Sequence, residues 1–197
     1  TMVQAIAAFA ALALAAIAPE VGDALDLPTS LIGYQISLVY GGAATSSLFA
    51  GTLVPRYGAC RTSQLSMLLI AAGCALAMVS TLGTLIGASL VIGAGYGMTN
   101  PSASTLLVRF APPHRRNLIF SIKQTGVPLG GVMAGLIAPT VALAFGWWAA
   151  PATVGGLALL MAAGLETVRK SWDRDREPEA PAGESPLAGL RLVWNLP

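Results

Sequence analysis

Charged residues are scarce in this sequence. Asp, Glu, Lys and Arg make up only 10% of the 197 residues, against roughly 25% in soluble domains. Hydrophobic residues account for 55% of the chain and occur in long runs that the surface of a soluble domain cannot hide. The composition therefore excludes an ordinary soluble domain and indicates a membrane protein. The net charge of +2 is too small to predict a nucleic-acid partner.

Cysteine and histidine are also rare, which narrows the chemistry of the chain. Cys60 lies in a basic loop and Cys74 in an apolar run, so a disulfide framework is excluded and both are predicted to be free thiols. The one histidine, His114, lies in a basic loop. A serine hydrolase working inside the membrane would need Ser and His within reach of each other there. We predict no catalytic residues, cofactor or metal site.

Six apolar segments come close to the ~20 residues that cross ~30 Å of hydrocarbon. We predict that all six are α-helices, because backbone in lipid must satisfy its own hydrogen bonds and no alternation of period two indicates barrel strands. The predicted fold class is an all-α membrane protein. The predicted spans cover residues 2–18, 31–54, 63–82, 84–108, 118–145 and 147–167, the fifth ending at 145 or already at 139.

Positive charges are confined to alternate connections between these spans. The first connection instead carries Glu20, Asp23 and Asp26, and the third and fifth carry no charge. Because cytoplasmic loops are enriched in Lys and Arg, this pattern predicts an inner-membrane protein with both termini in the cytoplasm. The basic residues that follow the second, fourth and sixth spans are Arg56, Arg61, Arg109, Arg115, Arg116, Arg169, Lys170, Arg174 and Arg176.

The composition changes after the sixth span. Residues 1–168 are predicted to form one six-span bundle. Residues 169–186 include the stretch "REPEAPAGESP", whose Pro, Glu and Ala content predicts a cytoplasmic linker. Residues 187–197 are too short to span and are interpreted as the start of a seventh span or as a surface helix. We favour a chain that continues into a further span.

The stretch "GTLVPRYGACR" connects spans two and three. Gly51 is predicted to let two helices approach closely, and Gly58 to allow the tight turn. Arg56 and Arg61 lie where cytoplasmic headgroups are anionic. Any short cytoplasmic loop has such charges, so a gating loop and a simple anchor both remain open interpretations.

This stretch resembles the signature G-x-x-x-D-R-x-G-R, which members of the major facilitator superfamily carry between their second and third helices. Gly51, Arg56 and Gly58 match the signature, Arg61 follows two positions late, and Pro55 replaces the acidic residue. The stretches "GAGYGMTNP" in span four, "RFAPPHRRN" after it and "GVPLGGVMAGLIAP" in span five also resemble the family.

The resemblance implies the N-terminal half of a twelve-span transporter, with its six helices arranged as a 3+3 inverted repeat. The similar stretches "AGTLVP" in span two and "AGLIAP" in span five support such a repeat. The second six-helix half would come from the rest of the chain or from a dimer partner. In this family the acidic residue of the loop pairs across the two halves, so Pro55 implies a weaker latch.

Lys123 is the one clear ionisable residue well inside an apolar segment. Such residues are costly in a membrane and often functional. Helical spacing places Lys123 in line with Gly126 and Gly130, a small surface suited to packing against another helix. The alternative is that the lysine side chain extends to the interface. If Lys123 points into the bundle, its positive charge predicts an anionic solute.

Asn100 in span four lies at a depth similar to that of Lys123, if the two helices are antiparallel neighbours. Pro101 and Pro128 each remove a backbone donor, which predicts helix breaks near this level. Broken helices mark binding sites in transporters, whereas proline kinks also simply shape bundles.

Tyr40, Tyr96 and Gln124 are further candidates for the wall of a solute cavity, with core packing or the interfacial belt as the alternative. The leading hypothesis is a secondary or facilitative transporter of a small, anionic solute that rocks one half against another. A non-transporting scaffold or sensor and an intramembrane hydrolase are the alternatives. The predicted partners are the solute, the lipid bilayer and a second six-helix half.

Overall fold

A computed structural model describes residues 1–174 and 176 of the chain. Within these residues the regular structure is entirely helical and contains no strand, so the all-α prediction is confirmed. A short 3-10 helix, Pro113–Arg115, precedes the sixth α-helix. The α-helices are α1 (Met2–Ala16), α2 (Ala18–Leu25), α3 (Thr29–Tyr57), α4 (Ala59–Ala77), α5 (Leu82–Phe110), α6 (Arg116–Gln124), α7 (Gly126–Phe145) and α8 (Ala149–Trp172).

Five stretches are long and apolar enough to cross a membrane. They lie in α3, α4, α5 and α8 and in the segment Pro113–Phe145, which contains α6 and α7. The first two helices, α1 and α2, form a sixth candidate span when taken together, although they are bent by 54°. The chain is an integral membrane protein, and the six predicted spans correspond to these segments. The predicted seventh segment, residues 187–197, and most of the linker lie outside the described residues.

Two connections differ from the prediction. The acidic stretch after span one is not a loop, because Pro19 lies in the first turn of helix α2, which ends at Asp26 in the left-handed conformation. Span three was predicted at residues 63–82 but is helix α4, Ala59–Ala77. Only Gly58, with φ 95°, separates α3 from α4. The start of span three was predicted too late in the sequence because the first turn of α4, although helical, is polar and therefore low in hydropathy.

The prolines also differ in their effect on the helices that contain them. Helix α5 continues through Pro101 and α7 continues through Pro139, so the break predicted at Pro101 and the early end at residue 139 are wrong. Because α5 packs against α3 and α4, the loss of one backbone hydrogen bond does not interrupt it. Span five is interrupted at Thr125. Pro128 has no N–H to donate to the carbonyl of Gln124, where α6 ends.

Helix α1 lies at the centre of the bundle. Its residues from Gln4 to Leu14 are almost all buried, and most are alanines, so neighbouring helices can approach its backbone closely. Helix α7 contacts it through Gly126 and Gly130. A Cβ atom on Gly130 would lie 2.6 Å from the Cβ of Ala8. The predicted packing surface of small residues is therefore confirmed.

Helix α5 packs against α3 and α4 through glycines as well. A Cβ on Gly42 would lie 2.6 Å from the carbonyl oxygen of Leu90, and one on Gly95 would lie 2.7 Å from the oxygen of Ser66. Gly51 is different: it is exposed, and a Cβ there would meet nothing within 4 Å. The close approach predicted at Gly51 is therefore wrong within the described chain. Positions 42 and 51 differ by nine residues, which at ~100° each turns Gly51 to the opposite side of α3.

Candidate functional site

A cleft of about 400 Å³ opens between α1, α3, α5 and the interrupted fifth span. Its size falls in the range of ~300–1,000 Å³ usual for small-molecule sites. Four of the residues predicted to bind solute lie in its wall, so the fold brings them together from three helices. The lining residues are Gln4, Tyr40, Ala43, Ala44, Ser47, Tyr96, Gly97, Thr99, Asn100, Gln124 and Val127.

Lys123, the fifth predicted residue, lies behind this wall. Its side chain is 5% exposed, and its Nζ donates a hydrogen bond to Oδ1 of Asn100 and lies 3.5 Å from Oγ of Ser104. Lys123 and Asn100 therefore do lie at the same depth, as predicted. Both acceptors are neutral, and the ion pairs found among the described residues do not involve Lys123. In the part of the chain that the structure describes, its positive charge is therefore buried without a carboxylate partner.

The contact with Lys123 fixes the orientation of the Asn100 carboxamide. An ammonium can only donate, so the atom of Asn100 that faces it must be the oxygen. The amide nitrogen of Asn100 then points away from Lys123. Because Asn100 is exposed in the wall of the cleft, its nitrogen is available to donate to an acceptor there. Lys123 thus orients the carboxamide of Asn100, which lines the cleft.

The position of Lys123 depends on the interruption of span five. Lys123 lies in the last turn of α6, just before Thr125, where the helix is interrupted. Gly126 directly follows, and a Cβ there would lie 3.1 Å from the Cβ of Gln4. This close packing of α7 on α1 holds the end of α6 against the bundle. The lysine consequently points between helices instead of extending to the surface.

Two tyrosines form an aromatic corner of the cleft. The rings of Tyr40 and Tyr96 meet edge to face, with centroids 5.9 Å apart and an interplanar angle of 88°. Tyr40 is 48% exposed, and Tyr96 is half-buried. Both tyrosines therefore line a cavity, which is the first of their two predicted interpretations. An edge-to-face pair is a stable arrangement that leaves ring surface open to a solute.

Sequence reasoning missed several polar groups around Lys123. Ser104 contacts its Nζ, Ser47 and Thr99 line the cleft, and Gln4 reaches the cleft from α1. Gln4 is 5% exposed, and its Oε1 has no hydrogen-bond partner among the described residues. One signal was present in the sequence. Gln4 is the only polar residue in the otherwise apolar helix α1.

The basic stretch predicted as a loop, which is the end of α3 and the start of α4, lies away from the cleft. Arg56 is exposed beside the Tyr57 ring, 5.7 Å from its centroid. Arg61 donates to Oε1 of Gln64 at 3.2 Å, and its Nη1 lies 3.7 Å from a carboxylate oxygen of Glu166. These contacts join α4 to the end of α8. The loop is therefore part of a polar network at one end of the bundle.

Asp173, at the end of α8, contacts the start of α4, and this contact was not predicted from the sequence. Its two carboxylate oxygens accept hydrogen bonds from the backbone N–H groups of Cys60 at 2.8 Å and Arg61 at 2.9 Å. It therefore caps the N-terminus of α4 from the end of α8. Any Cβ on Gly58 would collide with the Asp173 carboxyl group. Gly58 is required both by its positive φ and by this contact.

The comparison with protein families identifies the chain. The model of the Major Facilitator Superfamily matches residues 1–197. The chain belongs to this superfamily. The family resemblance seen in the loop sequence is thereby confirmed, although its signature is incomplete here.

Curated members of the superfamily match part of this chain. The hexuronate transporter of Bacillus subtilis is 28% identical over 137 residues, which are 68% of this chain and 32% of that protein. The 4-hydroxybenzoate transporter PcaK of Acinetobacter baylyi is 30% identical over 138 residues, or 68% of this chain and 30% of that protein. The matched region therefore spans about a third of the length of these relatives.

Solved transporter structures share the fold. A crystal structure of the peptide transporter POT in complex with sulfate superposes with a TM-score of 0.74 at 22% identity. The match covers 98% of this chain and 42% of that one. The helical arrangement described here is therefore shared with less than half of the peptide transporter.

Proposed function

We propose that this chain is one six-helix half of a secondary or facilitative transporter for a small anionic solute, working by alternating access. The family and the named transporters among its relatives support this proposal. The chain matches about a third of those relatives, so a second six-helix half, from the same protein or from a dimer partner, would complete the pathway. The two halves would rock about a site between them.

The buried ammonium of Lys123 carries the preference for an anion. Its partners among the described residues, Asn100 and Ser104, are neutral, and an uncompensated charge in a low-dielectric region is costly. An anionic solute in the adjoining cleft would relieve part of that cost. Hexuronate and 4-hydroxybenzoate, the solutes named for two relatives, are both carboxylates.

The proposal also includes the predicted orientation of the chain in the membrane and the predicted gating loop. Both termini lie in the cytoplasm of an inner-membrane protein, with the end of α8 and the linker that follows it on that side. Arg56 and Arg61 then face anionic lipid headgroups. Gly51, Arg56, Gly58 and Arg61 form the gating loop. The exposed side of Gly51 is free for the second half.

The test is a charge series at Lys123 in the intact purified protein. Lys123→Gln removes the charge and keeps a polar side chain, so we expect binding of glucuronate, 4-hydroxybenzoate or nicotinate to weaken about 10- to 150-fold, since a charged hydrogen bond is worth about 1.5–3 kcal/mol. Lys123→Arg should retain part of the affinity. Lys170→Gln is the control, because Lys170 is the other lysine of the chain and is exposed.

Three outcomes separate the hypotheses. Equal affinity for these acids in wild type and Lys123→Gln would remove the argument for an anion. Binding of an acid without uptake into proteoliposomes would support a sensor instead of a transporter. Loss of binding that follows lower protein yield in the Lys123 variants, with yield and binding of Lys170→Gln unchanged, would indicate that Lys123 only stabilises the bundle.

A further inference from the structure

Two exposed carboxamide side chains in the wall of the cleft, those of Asn100 and Gln124, differ in how they are held. Oδ1 of Asn100 accepts a hydrogen bond from Nζ of Lys123. The carboxamide of Gln124 has no hydrogen-bond partner in the part of the chain that the structure describes. Gln124 can therefore turn either its oxygen or its nitrogen toward a solute, whereas Asn100 cannot turn without losing its contact with the ammonium.

The ammonium of Lys123 is held in this position by α5. Its two acceptors, Asn100 and Ser104, are four residues apart in that helix and so lie on the same helix face. The lysine is 5% exposed, and the described residues that line the cleft include Asn100 but not Lys123. A solute in the cleft therefore meets Asn100 and not the ammonium.

The fixed orientation of Asn100 gives this part of the wall a defined hydrogen-bonding polarity. With its oxygen turned to Lys123, Asn100 offers its amide nitrogen Nδ2, which can only donate. Within the described chain, Nδ2 has no hydrogen-bond partner. Rotation of the amide would bring two donors face to face and would take an acceptor away from a buried charge, which is costly. The wall at Asn100 therefore suits an acceptor, such as a carboxylate, and disfavours a donor.

We propose that Asn100 is the residue that binds the acceptor group of the solute and that Lys123 is a positioning residue for it. Nδ2 of Asn100 donates to a carboxylate oxygen of the solute, while Lys123 holds the amide in the orientation that this contact requires. The positive charge beside Oδ1 also polarises the amide and strengthens its N–H donors. Lys123 thus favours an anion without touching it. This inference rests on the proposed binding of an anion in the same cleft.

The experiment is a double-mutant cycle on the intact protein in lipid nanodiscs, with dissociation constants for nicotinate and 4-hydroxybenzoate measured by titration calorimetry. Asn100→Ala removes the donor, so we expect affinity to fall about 10- to 150-fold, the range for one hydrogen bond to a charged group. Once Asn100 is absent, Lys123 has no amide to position. Lys123→Gln should therefore weaken binding less in Asn100→Ala than in wild type, by a factor of about 2 to 150.

Ser47→Ala provides the matched control cycle. Ser47 also lines the cleft, but it lies on α3, and its Oγ donates to the carbonyl oxygen of Ala44 at 2.8 Å. Because this hydroxyl is directed to its own helix, the effects of Ser47→Ala and Lys123→Gln should combine to within about 2-fold of additivity. Strong non-additivity in this cycle as well would indicate a general disturbance of the cleft and would overturn the positioning role of Lys123.

A second substitution keeps the test decisive if Asn100→Ala folds poorly. Asn100→Asp has nearly the same shape and still accepts a hydrogen bond from Lys123, but its carboxylate has no N–H to donate and repels an anion. We expect Asn100→Asp to bind both acids at least about 10-fold more weakly than wild type. Wild-type affinity in this variant would overturn the inference.

The outcomes distinguish this inference from the proposal on which it rests. Equal effects of Lys123→Gln in wild type and in Asn100→Ala would overturn the positioning role, because Lys123 would then act independently of Asn100. Unchanged affinity in Asn100→Ala would overturn the contact between Asn100 and the solute. In either case, weaker binding in Lys123→Gln than in wild type would leave the anion proposal standing. Failure of wild type to bind either acid would overturn both.

Discussion

Removal of the Asp173 carboxylate should open the start of α4. In the folded protein this carboxylate accepts the N–H groups of Cys60 and Arg61 at 2.8 and 2.9 Å. Loss of an N-cap side chain costs about 0.5–2 kcal/mol, and loss of the favourable interaction of a carboxylate with the helix dipole contributes to that cost. We expect Asp173→Ala to destabilise the local structure by about 1–2 kcal/mol, which raises the open population about 5- to 30-fold.

Cys60 reports this opening without an added probe. Its thiol is fully buried, and its Sγ donates to the carbonyl oxygen of Leu165 at 3.4 Å. A thiol in this position reacts only when the end of α4 separates from α8, so its labelling rate follows the open population. We expect N-ethylmaleimide to modify Cys60 about 5- to 30-fold faster in Asp173→Ala. Cys74, buried further along α4, is the internal reference and should keep its rate.

Two further variants test the geometry of the cap. Gly58→Ala should also accelerate labelling of Cys60, because its Cβ would collide with the Asp173 carboxyl group and the φ of 95° is strained for alanine. The double variant should be less than additive, since both changes break the same contact. Asp23→Ala removes an exposed carboxylate from α2 and should have no effect. An unchanged rate at Cys60 in Asp173→Ala would refute the cap.

The helix packing and the charge pattern can each be tested separately. Gly42→Leu should destabilise the bundle by about 1–3 kcal/mol, because its side chain would meet the Leu90 backbone. Gly51→Leu should change the stability by no more than about 0.5 kcal/mol. Equal melting temperatures for these two variants would contradict the packing of α3 described here. In the intact protein, Asp23→Cys should react with an impermeant maleimide from outside the cell and Arg115→Cys only after permeabilisation, and the reverse pattern would overturn the proposed topology.

Helical periodicity allowed part of the candidate site to be predicted from sequence. Lys123, Gly126 and Gly130 share one helix face, and the structure buries that face against α1. Counting residues from the helix end also placed Asn100 at the depth of Lys123, and the structure shows the two in contact. Both inferences succeeded because rise and rotation per residue are nearly constant within a helix.

Periodicity could not predict which neighbour each face meets. Gly42 and Gly51 are both glycines of α3, yet only Gly42 lies against another helix. Their difference depends on where α5 crosses α3. Likewise, Pro101 and Pro128 each lack a backbone N–H donor, but the helix is interrupted only near Pro128. The packing around each proline, which lies outside its local sequence, decided the result.

Local composition was enough to establish a helical membrane protein of six apolar segments, because hydropathy and segment length can be read directly along the chain. Helical spacing likewise fixed the face on which Lys123 lies. Two other features required the packed bundle: Gln4 shares a cavity with Lys123, and Asp173 caps a helix whose first residues lie more than a hundred positions earlier. Contacts between residues so far apart depend on how the helices pack, and no local pattern records that arrangement.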